Sequence, residues 1–342
     1  MNPKVKNTLK FLFFLSIGIG LIYLIVHGIS PEDRENIKQA ALKANYFWVL
    51  MALIVSVISH WLRAMRWKML IEPTGKVVKT SNTFFSLMIG YMANYAPLPR
   101  LGEVYRCVIL SRYEKTPFTA LLGTVIVERT VDFLSLVVLF FLMLLLCFNQ
   151  VYGYVKNGVA NYISSKLEHL LHFNMLIGII ALVVLVVIAF VLIRKKDTIK
   201  AFAGKYIKSF VDGIKSVGKL KKPFLFWGYT VAIWICYLFA AYFCFFCFEE
   251  SSHLTPVNAL VVLIAGTLGV IVTPGGTGAY QVLVTKVLTR IFFISFAISF
   301  TIAWIIWGCQ LLLSVILGLL SLILLPILNK NEEAGSDTVQ NS

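Results

Sequence analysis

Charge is scarce along this chain, and negative charge scarcest: 14% of its 342 residues are charged, with 16 Asp and Glu against 31 Lys and Arg. A water-soluble domain exposes far more polar surface than that. Short alternating strands are missing too, which excludes a transmembrane β-barrel. Cysteine is limited to six residues. Most of them (Cys147, Cys236, Cys244, Cys309) sit inside apolar stretches, where a thiol behaves as a small hydrophobe. Cys244 and Cys247 make a lone C-x-x-C without a second pair or a neighbouring acidic or histidine cluster, so no metal, redox group or other cofactor is expected. The basic start and the apolar run 11–26 come without an Ala-x-Ala-like cleavage site, which favours a retained first helix over a removed leader.

What the chain does have is apolar residues, 59% of the total, with a mean hydropathy of +0.84. They recur in runs near the 20-residue length that spans ~30 Å of hydrocarbon. Backbone groups in lipid must pair within their own segment, so the runs are expected to be helices. The net charge of +15 does not point to nucleic acid, because the Lys and Arg lie between apolar runs rather than on one basic face. The expected fold is therefore an all-α polytopic membrane protein. Full spans are expected at 11–27, 46–62, 118–148, 173–193, 223–248 and 291–328, with broken stretches at 80–97 and 257–273. Counting both broken stretches gives about eight crossings.

Loop charge sets the orientation. The N-terminus, segment 63–79 and segment 194–222, the last with ten Lys or Arg, are expected on the cytoplasmic side. Segments 28–45, 149–172 and 249–256 hold three, two and none. If 118–148 crosses once, 80–117 must enter and leave on the same side, as a re-entrant hairpin; two helices within 118–148 are the alternative. Segment 257–290 would dip in from the opposite side. Gly90 precedes Pro97 by seven residues and Gly266 precedes Pro274 by eight. Interruptions at matching places in two halves point to an inverted repeat, here 1–148 and 173–328. Residues 329–342 read as a disordered cytoplasmic tail. The whole chain is one membrane domain, in the cell (inner or plasma) membrane with both termini inside.

Four motifs carry polar chemistry. In Asn94–Arg106 two prolines stop a helix and Gly102 permits a close turn; a following helix would place Arg100, Glu103 and Arg106 three apart on one face. Free N–H groups at its start and the two arginines suit a phosphate; arginines snorkelling to headgroups are the plainer reading. Glu128, Arg129 and Asp132 have apolar flanks on both sides, and each charge there costs on the order of 2.5–3.5 kcal/mol. They should face the interior, either as a structural ion pair or toward the arginines and a cationic headgroup. Pro274, Gly275, Gly276 and Gly278, with Gln281, form a helix break suited to baring N–H groups toward an anion, or a tight turn between packed helices. It lacks the Lys-Ser/Thr of a nucleotide loop. Arg63 and Arg66, among His60, Trp61 and Trp67, look mostly like an interface belt.

R-x-x-R-W at 63–67, N-x-x-P-x-P-R-x-G-E-x-x-R at 94–106, E-R-x-x-D at 128–132 and P-G-G-x-G at 274–278 occur in an order that resembles the lysylphosphatidylglycerol synthase transmembrane family, over nearly the whole chain. The resemblance implies a flippase-like membrane domain moving an anionic or aminoacylated phospholipid, or a lipid-linked headgroup, between leaflets. Its implied partners are that lipid, the surrounding membrane lipids and a second copy in a homodimer. It also implies that Arg63, Arg66, Asn94, Arg100, Gly102, Glu103, Arg106, Glu128, Arg129, Asp132 and the 274–278 loop are the functional set. Gln281 departs from the acidic residue common there in the family, which weakens a role in reading a cationic headgroup. The 342 residues hold no soluble aminoacyl-transfer domain, so lysyl transfer is not expected. A membrane-embedded glycosyl or acyl transferase acting on a lipid carrier is the alternative, with Glu103 or Asp132 as base. A scaffold for other membrane proteins is a third.

Overall fold

The computed structural model describes residues 30–95, 101–146 and 220–340. The expected spans 11–27 and 173–193, the loop 149–172, nearly all of 194–222 and Arg100 lie outside the described residues. Within them every regular element is helical. In chain order they are α1 (Pro31–Lys43), α2 (Tyr46–Ile71), α3 (Thr80–Asn94), α4 (Gly102–Glu114), α5 (Phe118–Leu146), α6 (Pro223–Phe243), α7 (Pro256–Val272), α8 (Ala279–Arg290) and α9 (Phe296–Gln340).

Four stretches are long and apolar enough to cross a membrane: Tyr46–Thr74, Phe118–Leu146, Pro223–Cys247 and Phe296–Lys330. They match four of the expected spans, and 118–146 is a single helix rather than two. Helix starts follow local chemistry. Asn45 caps α2 by accepting from the Phe47 N–H, and Pro223 and Pro256 occupy first helical turns, where no amide partner is needed. One boundary is corrected. The expected span ended at 62 and the next residues were read as a cytoplasmic loop, but α2 continues to Ile71 and buries Arg63 and Arg66. Their charge stays inside because carboxylates on another helix meet it. At the other end of the chain, the α9 backbone continues as helix to Gln340, into the polar segment read as a tail.

Helix α9 is the ruler along which the rest is arranged. Near its C-terminal part, Asn329 and Asn82 exchange amide hydrogen bonds of 2.9 Å in both directions. Higher up, Gly318 sits against Met92. Thus α3 runs antiparallel to α9, climbing from residue 329 toward its middle. The second hairpin occupies the opposite half: Trp307 donates to the Gly275 carbonyl at 2.8 Å, and Glu250, ahead of α7, accepts from both the amide and hydroxyl of Ser295. The two broken hairpins, α3–α4 and α7–α8, therefore enter from opposite ends of α9. The end of α3 meets the second break: the Tyr95 ring lies where a Cβ on Gly275 would be 3.0 Å away.

Each hairpin closes through glycine. A Cβ on Gly90 would stand 2.7 Å from the Gly102 carbonyl oxygen, and one on Gly102 would run into the Gly90 oxygen and the Asn94 side chain. Gly266 and Gly269 likewise leave room for Tyr280 of α8. Two apolar clusters flank the polar centre: Ala64, Trp67, Leu87, Met88 and Leu110 on one side, and Met69, Leu70, Val131 and Phe226 on another.

Candidate functional site

Helical spacing builds the site. Arg63 and Arg66, three apart, project from one face of α2, and Glu128 and Asp132, four apart, project from one face of α5. At 1.5 Å per residue, Arg63 lies about 12 Å from the C-terminal end of α2 and Glu128 about 15 Å from the start of α5. The cluster is well inside both helices.

Arg63 reaches Glu128 Oε1 at 3.0 Å and Asp132 Oδ2 at 2.7 Å through Nη2, and donates from Nη1 to the Tyr237 hydroxyl at 2.7 Å. Arg66 donates to Asp132 Oδ1 at 2.6 Å and to Thr230 Oγ1 at 3.3 Å, and stands 3.5 Å from Glu128. Arg129, the most exposed of the set at 41%, sits 3.3 Å from Glu128 and 3.8 Å from Asp132. The fourth guanidinium comes from the broken hairpin: Arg106 Nη2 lies 2.9 Å from Glu128 Oε2. The contact is an ion pair without a hydrogen bond, and among the described residues Nε, Nη1 and Nη2 of Arg106 and Oε2 of Glu128 have no hydrogen-bond partner. The absence of a side chain at Gly90 makes the space, since a Cβ there would stand 3.0 Å from the Arg106 Cβ.

Aromatic rings cover the cations. Arg106 stacks on Trp67 at 4.6 Å, Arg63 on Tyr91 at 5.6 Å and Arg66 on Phe226 at 5.9 Å. Trp67 is itself fixed by donating to Thr124 at 2.9 Å. Four guanidiniums share two carboxylates in this contact set, which leaves two positive charges uncompensated by its own members. Three of the four guanidiniums are buried and Arg129 is 41% exposed, so the set carries surplus positive charge that an anion can balance.

The remaining candidates divide. Asn94 accepts from the Gly102 N–H at 3.0 Å, so that amide is engaged within the hairpin rather than bared. Glu103, half-buried, takes no part in the ion cluster. In the second break Gly275, Gly276 and Gly278 adopt φ of 63°, 76° and 80°, a region that strains any side chain. The Gly276 N–H bonds the Thr273 carbonyl at 3.0 Å, and the Gly278 N–H bonds Gln281 Oε1 at 2.9 Å. Pro274 begins this turn, whose geometry is the tight connection between packed helices. These amides are not free for an anion here. Gln281 is buried with its Nε2 unpartnered.

Sequence reasoning undervalued Arg63 and Arg66 and missed Tyr237, Thr230 and Tyr91. The available signal was the three-residue spacing of two arginines beside Trp67, which fits one helix face. Beside the cluster runs a largely apolar groove of about 610 Å³ between α5, α6 and α7, lined by Ser135, Val138, Trp227, Thr230, Trp234 and Leu260 among others. Thr230 belongs to both, bonding Arg66 and lining the groove. Among the described residues no group of three or more His, Cys, Asp or Glu is placed to hold a metal ion.

Comparison with known proteins agrees with this architecture. The family model described as the lysylphosphatidylglycerol synthase TM region matches residues 9–324. A UPF0104 membrane protein of Methanocaldococcus jannaschii is 25% identical over 291 residues, covering 79% of each chain. A UPF0104 membrane protein of Methanothermobacter thermautotrophicus is 25% identical over 294 residues, covering 77% of this chain and 80% of its own. No solved structure matches. With a family model spanning nearly its full length and the charged cluster buried among apolar helices, this chain is a membrane protein belonging to the lysylphosphatidylglycerol synthase transmembrane family.

Proposed function

We propose that this protein moves an anionic phospholipid, or a lipid-linked phosphate, between membrane leaflets, and does so as a transporter rather than as an enzyme. The observation that carries the reading is the ratio of four guanidiniums, three of them buried, to two carboxylates, with Arg106 ion-paired to Glu128 but making no hydrogen bond among the described residues. A phosphate supplies both the missing charge and acceptors for a guanidinium fork. The adjoining groove accepts an acyl chain while the headgroup stays with the arginines, and Thr230 marks where the two regions join.

The opposed entry of the two hairpins supports two inverted repeats, 1–148 and 173–328, which rock about the shared break region. In this reading the chain crosses the cell membrane about eight times, both termini are cytoplasmic, and two copies associate. Glu128 and Asp132 hold the arginines apart and in register when the lipid leaves.

The test is exchange of fluorescent anionic phospholipid between leaflets of proteoliposomes. Arg106→Lys keeps the charge but removes the planar fork, and Arg129→Ala removes the exposed cation. Losing one charged hydrogen bond is worth about 1.5–3 kcal/mol, so each rate should fall by roughly ten- to a hundredfold. Rates equal to wild type in both variants remove the reading.

A further inference from the structure

We infer that the site selects a lipid whose phosphate bears an uncharged, hydroxyl-bearing headgroup, and that His60 and Tyr91 read the hydroxyls. This rests on the lipid-phosphate reading above and narrows its substrate class.

Next to the ion cluster lies a second set of polar atoms that the cluster does not use. His60 is 4% exposed, and among the described residues neither ring nitrogen has a hydrogen-bond partner. The Tyr91 hydroxyl is likewise buried and unpartnered. The two rings meet edge-on at 5.2 Å, one from α2 and one from α3. Arg63, one turn beyond His60 on the same helix, lies over the Tyr91 ring with its Nε unpartnered. The pair thus adjoins the arginine that bonds both Glu128 and Asp132.

Burying a polar atom without a partner is costly, so adjacent orphans on two helices mark a place where a ligand can supply the bonds. Their chemistry defines that ligand. A neutral imidazole offers one donor and one acceptor, and a phenol offers both from one oxygen. A hydroxyl, itself donor and acceptor, satisfies either.

An ammonium headgroup does not fit. Both cluster carboxylates are already ion-paired to more than one cation: Glu128 lies within 3.5 Å of Arg63, Arg66, Arg106 and Arg129, and Asp132 within 3.8 Å of three of them. A cationic aminoacyl group placed here meets surplus positive charge with no carboxylate left to receive it. Glu103, outside the cluster on α4, is the rival site for such a group.

Three lipids in proteoliposomes separate the outcomes: phosphatidylglycerol, with two headgroup hydroxyls; phosphatidylmethanol, with the same charge and none; and lysyl-phosphatidylglycerol. Wild-type protein should exchange phosphatidylglycerol about tenfold faster than phosphatidylmethanol, since a site built around hydroxyls rejects the analogue without them, and lysyl-phosphatidylglycerol slowest. Tyr91→Phe and His60→Leu should each move the ratio of the first two rates toward one. Equal wild-type rates for phosphatidylglycerol and phosphatidylmethanol overturn the inference and leave lipid movement standing. Faster exchange of the lysyl lipid, lost in Glu103→Gln, also overturns it and gives the headgroup to Glu103. No exchange of any lipid removes both readings.

Discussion

Glu128 Oε2 stands 2.9 Å from Arg106 Nη2, and this contact ties the uninterrupted helix α5 to the return limb of a broken hairpin. The same carboxylate is fully buried and lies within 3.5 Å of three further guanidiniums. It is the hub of the cluster. Asp132, 18% exposed, serves the two arginines of α2 closely and Arg129 more distantly.

That difference predicts unequal losses. Glu128→Gln leaves three buried cations and the more exposed Arg129 with one carboxylate, and breaking a buried pair costs about 3–5 kcal/mol. Asp132→Asn should cost less, because that carboxylate is 18% exposed where Glu128 is fully buried. Thermal unfolding in detergent, followed by loss of monodisperse protein, should show the larger drop for Glu128→Gln. Equal drops would place the hub elsewhere.

Glycine spacing gives a sharper contrast. Gly102→Ala drives a Cβ into the Gly90 carbonyl, a backbone atom that cannot swing aside, whereas a Cβ on Gly123 meets nothing within 4 Å. Gly102→Ala should lower the unfolding temperature and reduce lipid exchange together, because spreading α3 from α4 displaces Arg106. Gly123→Ala should match wild type or exceed it by about 0.5–1 kcal/mol, the helical advantage of Ala over Gly. Similar behaviour of the two variants would argue against the close crossing.

How far the sequence was legible follows from which signals are local. The break at 94–102 and the charges at 128–132 stand out because proline and ionised groups violate the rules of an apolar helix on the spot. Arg63 and Arg66 do not stand out. They sit at the edge of a basic segment among tryptophans, where an interface anchor explains them. What keeps them inside is Glu128 and Asp132, 65 and 69 positions away from Arg63, and pairing at that distance leaves no trace in neighbouring residues. The orphaned atoms of His60 and Tyr91 are invisible for the same reason. The amides of Gly102 and Gly278, at the two breaks where phosphate-friendly N–H groups were expected, are a different case: they bond Asn94 and Gln281 once the turns close.

Orientation is open to a labelling test. Val77, 90% exposed between α2 and α3, should react from the cytoplasmic side as Val77→Cys in a background stripped of native cysteines. Ser252→Cys, in the loop ahead of α7, should react only from outside. The reversed pattern would invert the loop-charge assignment.

The groove predicts a steric effect. Val138, 65% exposed on α5, lines it, and Val138→Trp should fill the acyl path and slow exchange several-fold without changing the unfolding temperature, since surface substitutions away from buried features usually shift stability by no more than about 0.5 kcal/mol. Undiminished exchange would mean the tail travels by another route.

Where Tyr95 abuts Gly275, the end of α3 is braced against the second hairpin, which enters from the other end of the bundle. For the lipid movement proposed above, the groove between α5, α6 and α7 gives the greasy end a path along the flank of the bundle while the polar end stays with the arginines, joined at Thr230.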